Sequence, residues 1–430
     1  MLIMNTLGFL AGLFYVSFSG NAIEKADFIL NKYTTISPSG AFCWFQDPRA
    51  VYVEGQYRRT YVGWISSQGK LEVGYYDHDT GEVKTKTIKE FWDIDDHNVP
   101  SFLVLPDLRL MIFYARHNKE NLYARQTLKP EDITEWGDEI IVAKMEKVTY
   151  SHPVFLSDEN RFYVFWRGKT WKPTFATSED SLHWSEPKVL FQDKGKESES
   201  IRPYLKVVSD GKKVIHFTFT DGHPRNEPFN SVYYARYESG KFYRADGTSI
   251  GAMDSLPILH SDCDKVYDAK LTGARAWVWD IALDKKGNPV IAYTQLPEEN
   301  KHFYHYALWD GKQWIDHEIT FAGPWFPETP KGKKETEPHY SAGICINHAN
   351  IEEVYLSRWV NTTFEIERWT THDKGKSWKH IPITQNSTVI NVRPIVPWGY
   401  NKKEGHILWM RGHYTHYTQF QTAIFCWIEK

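Results

Sequence analysis

Cysteine is scarce in this sequence: Cys43, Cys263, Cys345 and Cys426 are the only four, far apart and never paired as CxxC. A local zinc knuckle is therefore not expected. Cys43, Cys345 and Cys426 sit in apolar, strand-like runs, where a buried thiol is the default. Cys43 and Cys426 lie near opposite ends of the chain, so a disulfide between them is an option if the fold closes on itself. Long amphipathic helical patterns are lacking. Net charge is nearly lacking too: 51 basic against 54 acidic side chains give −3, which argues against a general nucleic-acid or membrane-surface role. After the N-terminal region no apolar run is long enough to span a bilayer. That region, Leu2 to Phe18, is apolar apart from Asn5, Thr6 and Ser17, and small residues follow at Ser19–Ala22. It reads as a signal peptide over residues 1–22, with a secreted or periplasmic mature chain forming one domain over residues 23–430.

Aromatic residues are abundant, at 16% of the chain with 18 Trp and 25 Tyr. They favour strands, and they offer flat faces on which sugars stack. The stretch from Asp95 to Asn118, DDHNVPSFLVLPDLRLMIFYARHN, reads as a hairpin turning at Pro106-Asp107. Its geometry brings His97 and His117 together at one sheet edge. Similar hairpin cores recur at Ala50–Ile65, Phe102–Ala115, Val154–Trp166, Leu205–Thr218, Ile281–Thr294, Ile344–Ser357 and Ile395–Met410. The repeat is about 52 residues, with two longer steps, which suits four-stranded units. The segment Thr371–Trp378 fits the Asp-box pattern S/T-x-D-x-G-x-S/T-W, and Ser178–Trp184 is a degraded copy; both read as structural turns. Seven such units predict an all-β fold, a seven-bladed β-propeller with four-stranded antiparallel blades. Residues 221–276 are expected to form long loops over one face. The strand Thr422–Ile428 is expected to meet N-terminal residues and close the ring.

In a propeller the start of each innermost strand and the end of the next strand open on the same face. Strand starts supply Gln46, Asp47, His97, Tyr150, His152, Arg202, Tyr204, Asp280, His339, Tyr340 and Arg393. Strand ends supply Arg116, His117, Arg167, Asp221, His223, Arg358 and Arg411. This set is rich in Arg, His and Tyr and poor in acids, so the face is expected to be cationic. Any one of these residues is commonly structural; the set as a whole is costly to bury unpaired. A paired-carboxylate glycosidase would have only Asp47, Asp221 and Asp280 to draw on. His97, His117 and His152 are the imidazoles that could meet around a metal, but no ligand spacing supports one; neither metal nor cofactor is expected. Arg, Tyr and His together fit β-elimination on a uronic acid. Arg neutralises the carboxylate, a Tyr or His takes the C5 proton, and a donor protonates the departing O4.

The stretches GAFCWFQDPRA (Gly40–Ala50), DDHNVPSFLVLPD (Asp95–Asp107), FYARHN (Phe113–Asn118), TYSHPVFL (Thr149–Leu156) and FWRG (Phe165–Gly168) resemble the BNR-repeat propellers that degrade polysaccharides. These include ulvan lyases, rhamnose–glucuronate lyases and propeller α-L-rhamnosidases acting on arabinogalactan. The resemblance to the lyases implies catalytic roles for His97, His117, Tyr150 and Arg167, with Tyr150 as base, Arg167 neutralising the carboxylate, and the two imidazoles positioning or protonating the leaving oxygen. The rhamnosidases are expected to use a His near the start of the first blade, where this chain has Gln46. Gln46, Arg202, Tyr204, His223, His339, Arg358 and Arg393 are the expected substrate-binding residues, and an acidic oligo- or polysaccharide is the expected partner of a monomeric protein. A lyase, an α-L-rhamnosidase-type hydrolase and a non-catalytic glycan-binding propeller all stay open.

Overall fold

A computed structural model describes residues 33–193 and 201–429; the expected signal peptide lies outside the described residues. Seven small antiparallel sheets form a ring, a seven-bladed β-propeller. Blade one shows why the chain folds this way. Its strands are Ala50–Glu54, Arg58–Ile65, Leu71–Asp77 and Val83–Lys89. The first three read as nearly continuous apolar runs and are mostly buried, because neighbouring blades cover both sides of each sheet. The fourth, VKTKTIK, is largely exposed, and its lysines keep the outer edge from pairing with another chain.

The innermost strands of the other blades begin at Ser101, Thr149, Leu205, Arg275, Ile344 and Ile390. Blade seven joins Ile390–Ile395, His406–His416 and Gln419–Ile428 to the N-terminal strand Thr34–Ser37, with Thr34 opposite Cys426. The expected closure by the C-terminal strand is thus observed. Residues 221–276 depart from expectation. Instead of loops alone, they add the strands Lys241–Tyr243, Ser249–Ala252 and Asp264–Tyr267 to blade four. The third strand of that blade, Val232–Glu238, is long and apolar, and these additions satisfy its outer edge.

The four cysteines are buried free thiols, so the Cys43–Cys426 disulfide does not form. The Asp box is a turn as read: Asp373 accepts hydrogen bonds from the Ser377 backbone N–H at 2.9 Å and from its hydroxyl at 2.6 Å.

The segment Phe42–Gln46 crosses the ring centre as a plug. Trp44 stacks on Trp279 at 4.5 Å and meets Trp277 and Tyr340 edge-on. Phe45 packs on Tyr150, Tyr204 and Trp277. One short apolar run therefore touches blades three, four and five and the approach to blade six, and it forms the floor of the funnel described next.

Candidate active site

The centre of the site begins with Asp95. It caps a short 3-10 turn, Asp96–Asn98, by accepting the His97 backbone N–H at 3.0 Å. The same carboxylate receives both imidazoles, His97 Nδ1 at 2.7 Å on one oxygen and His117 Nδ1 at 3.0 Å on the other. The rings stack at 4.2 Å and 13°. Hairpin pairing brought the histidines to one edge, and Asp95 sets their tautomers, leaving both Nε2 atoms facing away from it.

The two imidazoles are driven apart in charge. Burial works against the cation of His97, but the Asp95 carboxylate on its Nδ1 helps hold its pKa well above the usual value. Burial and the adjacent His97 cation lower His117 to about 4. His117 is therefore a neutral imidazole at neutral pH, with Nε2 free of protein partners among the described residues. His97 is nearly enclosed, and its Nε2 lies 3.3 Å from the Tyr340 hydroxyl.

Tyr150 is the second residue of the innermost strand of blade three, at φ +65°, where the ladder with the next strand slips. A positive φ at a bulky residue is costly. Here it aims the ring inward, 5.7 Å from His97 and 6.4 Å from His117. Its hydroxyl makes no hydrogen bond among the described residues. Burial raises its pKa well above that of a free phenol, against the pull of His97 and Arg167, so it rests protonated. Arg167 ends the paired strand, with its guanidinium 4.6 Å above the Tyr150 ring. It donates to the Tyr204 hydroxyl at 2.9 Å and to Asn118 Oδ1 at 2.8 Å. Its Nε has no hydrogen-bond partner among the described residues. Arg202 lies 4.0 Å over Trp171, whose ring Arg167 also approaches.

The BNR repeat-containing family model matches residues 59–322, more than half of the chain. The chain belongs to the BNR repeat-containing family. No curated protein matches it. Among solved structures, this BNR-repeat propeller is similar to an ulvan lyase of a new polysaccharide lyase family, determined bound to -[GlcA(1-4)Rha3S]-. That similarity has a TM-score of 0.71 at 13% identity, covering 92% of this chain and 96% of that one. It is also similar to polysaccharide lyase Uly1, with a TM-score of 0.58 at 11% identity over 93% and 98% of the two chains. A selenium-binding protein from Sulfolobus tokodaii shares the fold at a TM-score of 0.51, with 9% identity over 86% and 92%. At these identities the likeness is one of fold.

The structure brings His97, His117, Tyr150, Arg167 and Tyr204 of the BNR-repeat chain into one funnel, with Arg202 beside them. His223 joins at 5.6 Å from Tyr204. His339 lies farther along the rim, 6.4 Å from His223 and 3.2 Å from Arg275. Burial and nearby cations lower the pKa of both rim histidines, His339 to about 3, so both are neutral. Three expected residues sit elsewhere. Gln46 is enclosed in the plug, with its amide donating to the His97 carbonyl. Arg393 is fully buried, bonded to Asp96 and the Phe42 carbonyl. Arg358 turns toward the outer strands of blade six, forked onto Glu367 at 2.9 and 2.7 Å.

The acids named from sequence are committed elsewhere. Asp47 pairs with Arg49 and Lys206, Asp221 holds the Ser231 N–H and the Tyr233 hydroxyl, and Asp280 holds the Ile346 N–H and His348. The three-histidine grouping does not form, since His152 lies with Asp47 and Lys206. Asp95, His97 and His117 do offer three donor atoms within 4.8 Å, as do Cys43, Asp96 and His97. In the first group the Asp95 oxygens already receive the two ring N–H groups. A GxSxG string at Gly247–Gly251 is not a nucleophile elbow: Ser249 starts an edge strand, and the next element is another strand, Ile258–Leu259, where an elbow leads into a helix. Asp95, Asn118 and Trp171 were missing from the expected face, and Tyr340 was placed on it without a role. For Asp95 a signal existed, an acid two residues before a histidine at the start of a turn.

Proposed function

We propose that this protein is a polysaccharide lyase that cleaves an acidic glycan containing rhamnose and glucuronate by β-elimination. One observation carries this reading: a buried Arg, a protonated Tyr and a neutral His converge on one funnel, while its carboxylates are tied up in ion pairs and backbone bonds. The ulvan lyases of the same fold lend support.

The uronate carboxylate docks on Arg167 and the neighbouring Arg202, which lowers the acidity barrier at C5. The Nε2 lone pair of His117 accepts the C5 proton. Electrons from the C–H bond form the C4–C5 double bond as the C4–O4 bond breaks, and the Tyr150 phenol gives its proton to O4. The products are an unsaturated uronate and a new hydroxyl end. His97, held cationic, faces the developing negative charge. This exchanges the parts expected for Tyr150 and the imidazoles, because a phenol whose pKa burial raises is a better donor than base at neutral pH.

The test is incubation with ulvan and with arabinogalactan, following the ultraviolet absorbance of the conjugated double bond together with new reducing ends. Both signals rising together is the expected result. Reducing ends without absorbance would mean hydrolysis of the rhamnosidase type. Binding without either product would mean a glycan-binding propeller.

A further inference from the structure

A second groove opens on the same face as the funnel. Its walls come from the turn at Asn300 in blade five, the Pro324–Glu328 segment that follows, the turn after Val360 in blade six, and the approach to Ile390 in blade seven. Propeller geometry puts all four segments on the funnel side, since each lies at the start of an innermost strand, the end of a second or the end of a fourth. The groove holds about 610 Å³. Trp325 is half-buried in it, and Trp359 is 37% exposed. Thr362, Ser387 and Thr388 supply hydroxyls along its length.

Two features show what it takes. The first is position. Phe326, buried at its inner end, stacks with Tyr340 at 6.2 Å and packs on Tyr414 at 4.8 Å, and the Tyr340 hydroxyl is the one beside His97 Nε2, so a layer of buried rings separates the groove from the catalytic histidines. The second is charge. Among the described residues no Lys or Arg lines the groove, Arg411 reaching it only through a hydrogen bond to Ser387 Oγ at 3.1 Å, and its one ionisable wall residue is Glu328, which accepts the Tyr414 N–H at 2.9 Å. The funnel is lined by Arg167 and Arg202; this groove lacks such a lining cation for a uronate. Aromatic faces with hydroxyl rims and no cation suit an uncharged sugar with an apolar face. We infer that the groove is a subsite for neutral deoxysugar residues of the same glycan chain, reaching outward from the funnel. The inference rests on the reading of the funnel as a glycan-cleaving site.

The deciding experiment is calorimetric titration of the full chain with a neutral oligosaccharide of α-L-rhamnose, which has no carboxylate for Arg167. Wild type and Arg167→Ala should bind it alike. Trp359→Ala should weaken binding about tenfold, as expected for a lost stacking face, and Trp359→Phe should recover most of the loss. Trp325→Ala gives a second reading if Trp359→Ala melts early. No binding to wild type, unchanged binding in both tryptophan variants, or loss of binding in Arg167→Ala would overturn the subsite. A protein that produces no unsaturated uronate from any acidic glycan would overturn the lyase reading, while the titration would still decide the groove.

Discussion

The assignment of His117 as base has a quantitative consequence in the acid limb of the rate. Burial and the neighbouring His97 cation place its pKa at about 4, well under the ordinary 6.5. Its base form therefore dominates down to weakly acidic pH. The rate should be flat through neutrality, halve near pH 4, and fall about tenfold for each unit below that, which is 1.36 kcal/mol per unit of protonation. Removing His97 takes away the second-largest cause of the shift, so in His97→Gln the limb should move up toward 6.5. A limb that belongs to the substrate carboxylate would stay where it was. His117→Gln should lose about 10²–10⁴-fold in kcat, the range for a positioned general base. The assay is initial rate against pH on a defined oligosaccharide, with circular dichroism at each pH to count folded molecules. A rate that climbs into the alkaline range would make Tyr150 the base and refute the assignment of His117.

Tyr150→Phe should reduce kcat about 10²–10⁴-fold with little change in glycan affinity, because only the proton donor is removed. Arg167→Ala should cost about 10²–10³-fold in kcat/KM, and Arg167→Lys should not restore it, since an ammonium cannot reproduce the fork on a carboxylate. Asp96→Asn should lower stability by about 3–5 kcal/mol in denaturant titration, because it leaves the buried Arg393 guanidinium without its counter-ion. Acid should destabilise the whole fold. Burial lowers His152, His216 and His406 to about 3, and His78 and His302 to about 4. The unfolded chain takes up protons near pH 6.5 and the folded chain does not, so stability is full above that pH and declines between 6.5 and 3; melting temperatures across that window check the sign.

The sequence by itself determined the propeller. Blade strands are local hairpins, each recorded in a run of apolar and aromatic residues with a turn at its centre, and pairing of nearest neighbours needs no long-range information. It also brought His97 to His117 and Tyr150 to Arg167, because a hairpin fixes which ends meet. Tertiary structure decided what hairpin logic cannot reach. The plug at Phe42–Gln46 has no partner near it in sequence, so its place at the ring centre, and with it the enclosure of Gln46, depended on all the blades together. Arg358 stands at a strand end like Arg167 and Arg393 at a strand start on the same face, yet Arg393 is consumed by Asp96 and Arg358 by Glu367. Charge state too was decided by the fold. A sequence shows two imidazoles and a phenol, but burial and a shared carboxylate determine which is cation, which is base and which keeps its proton.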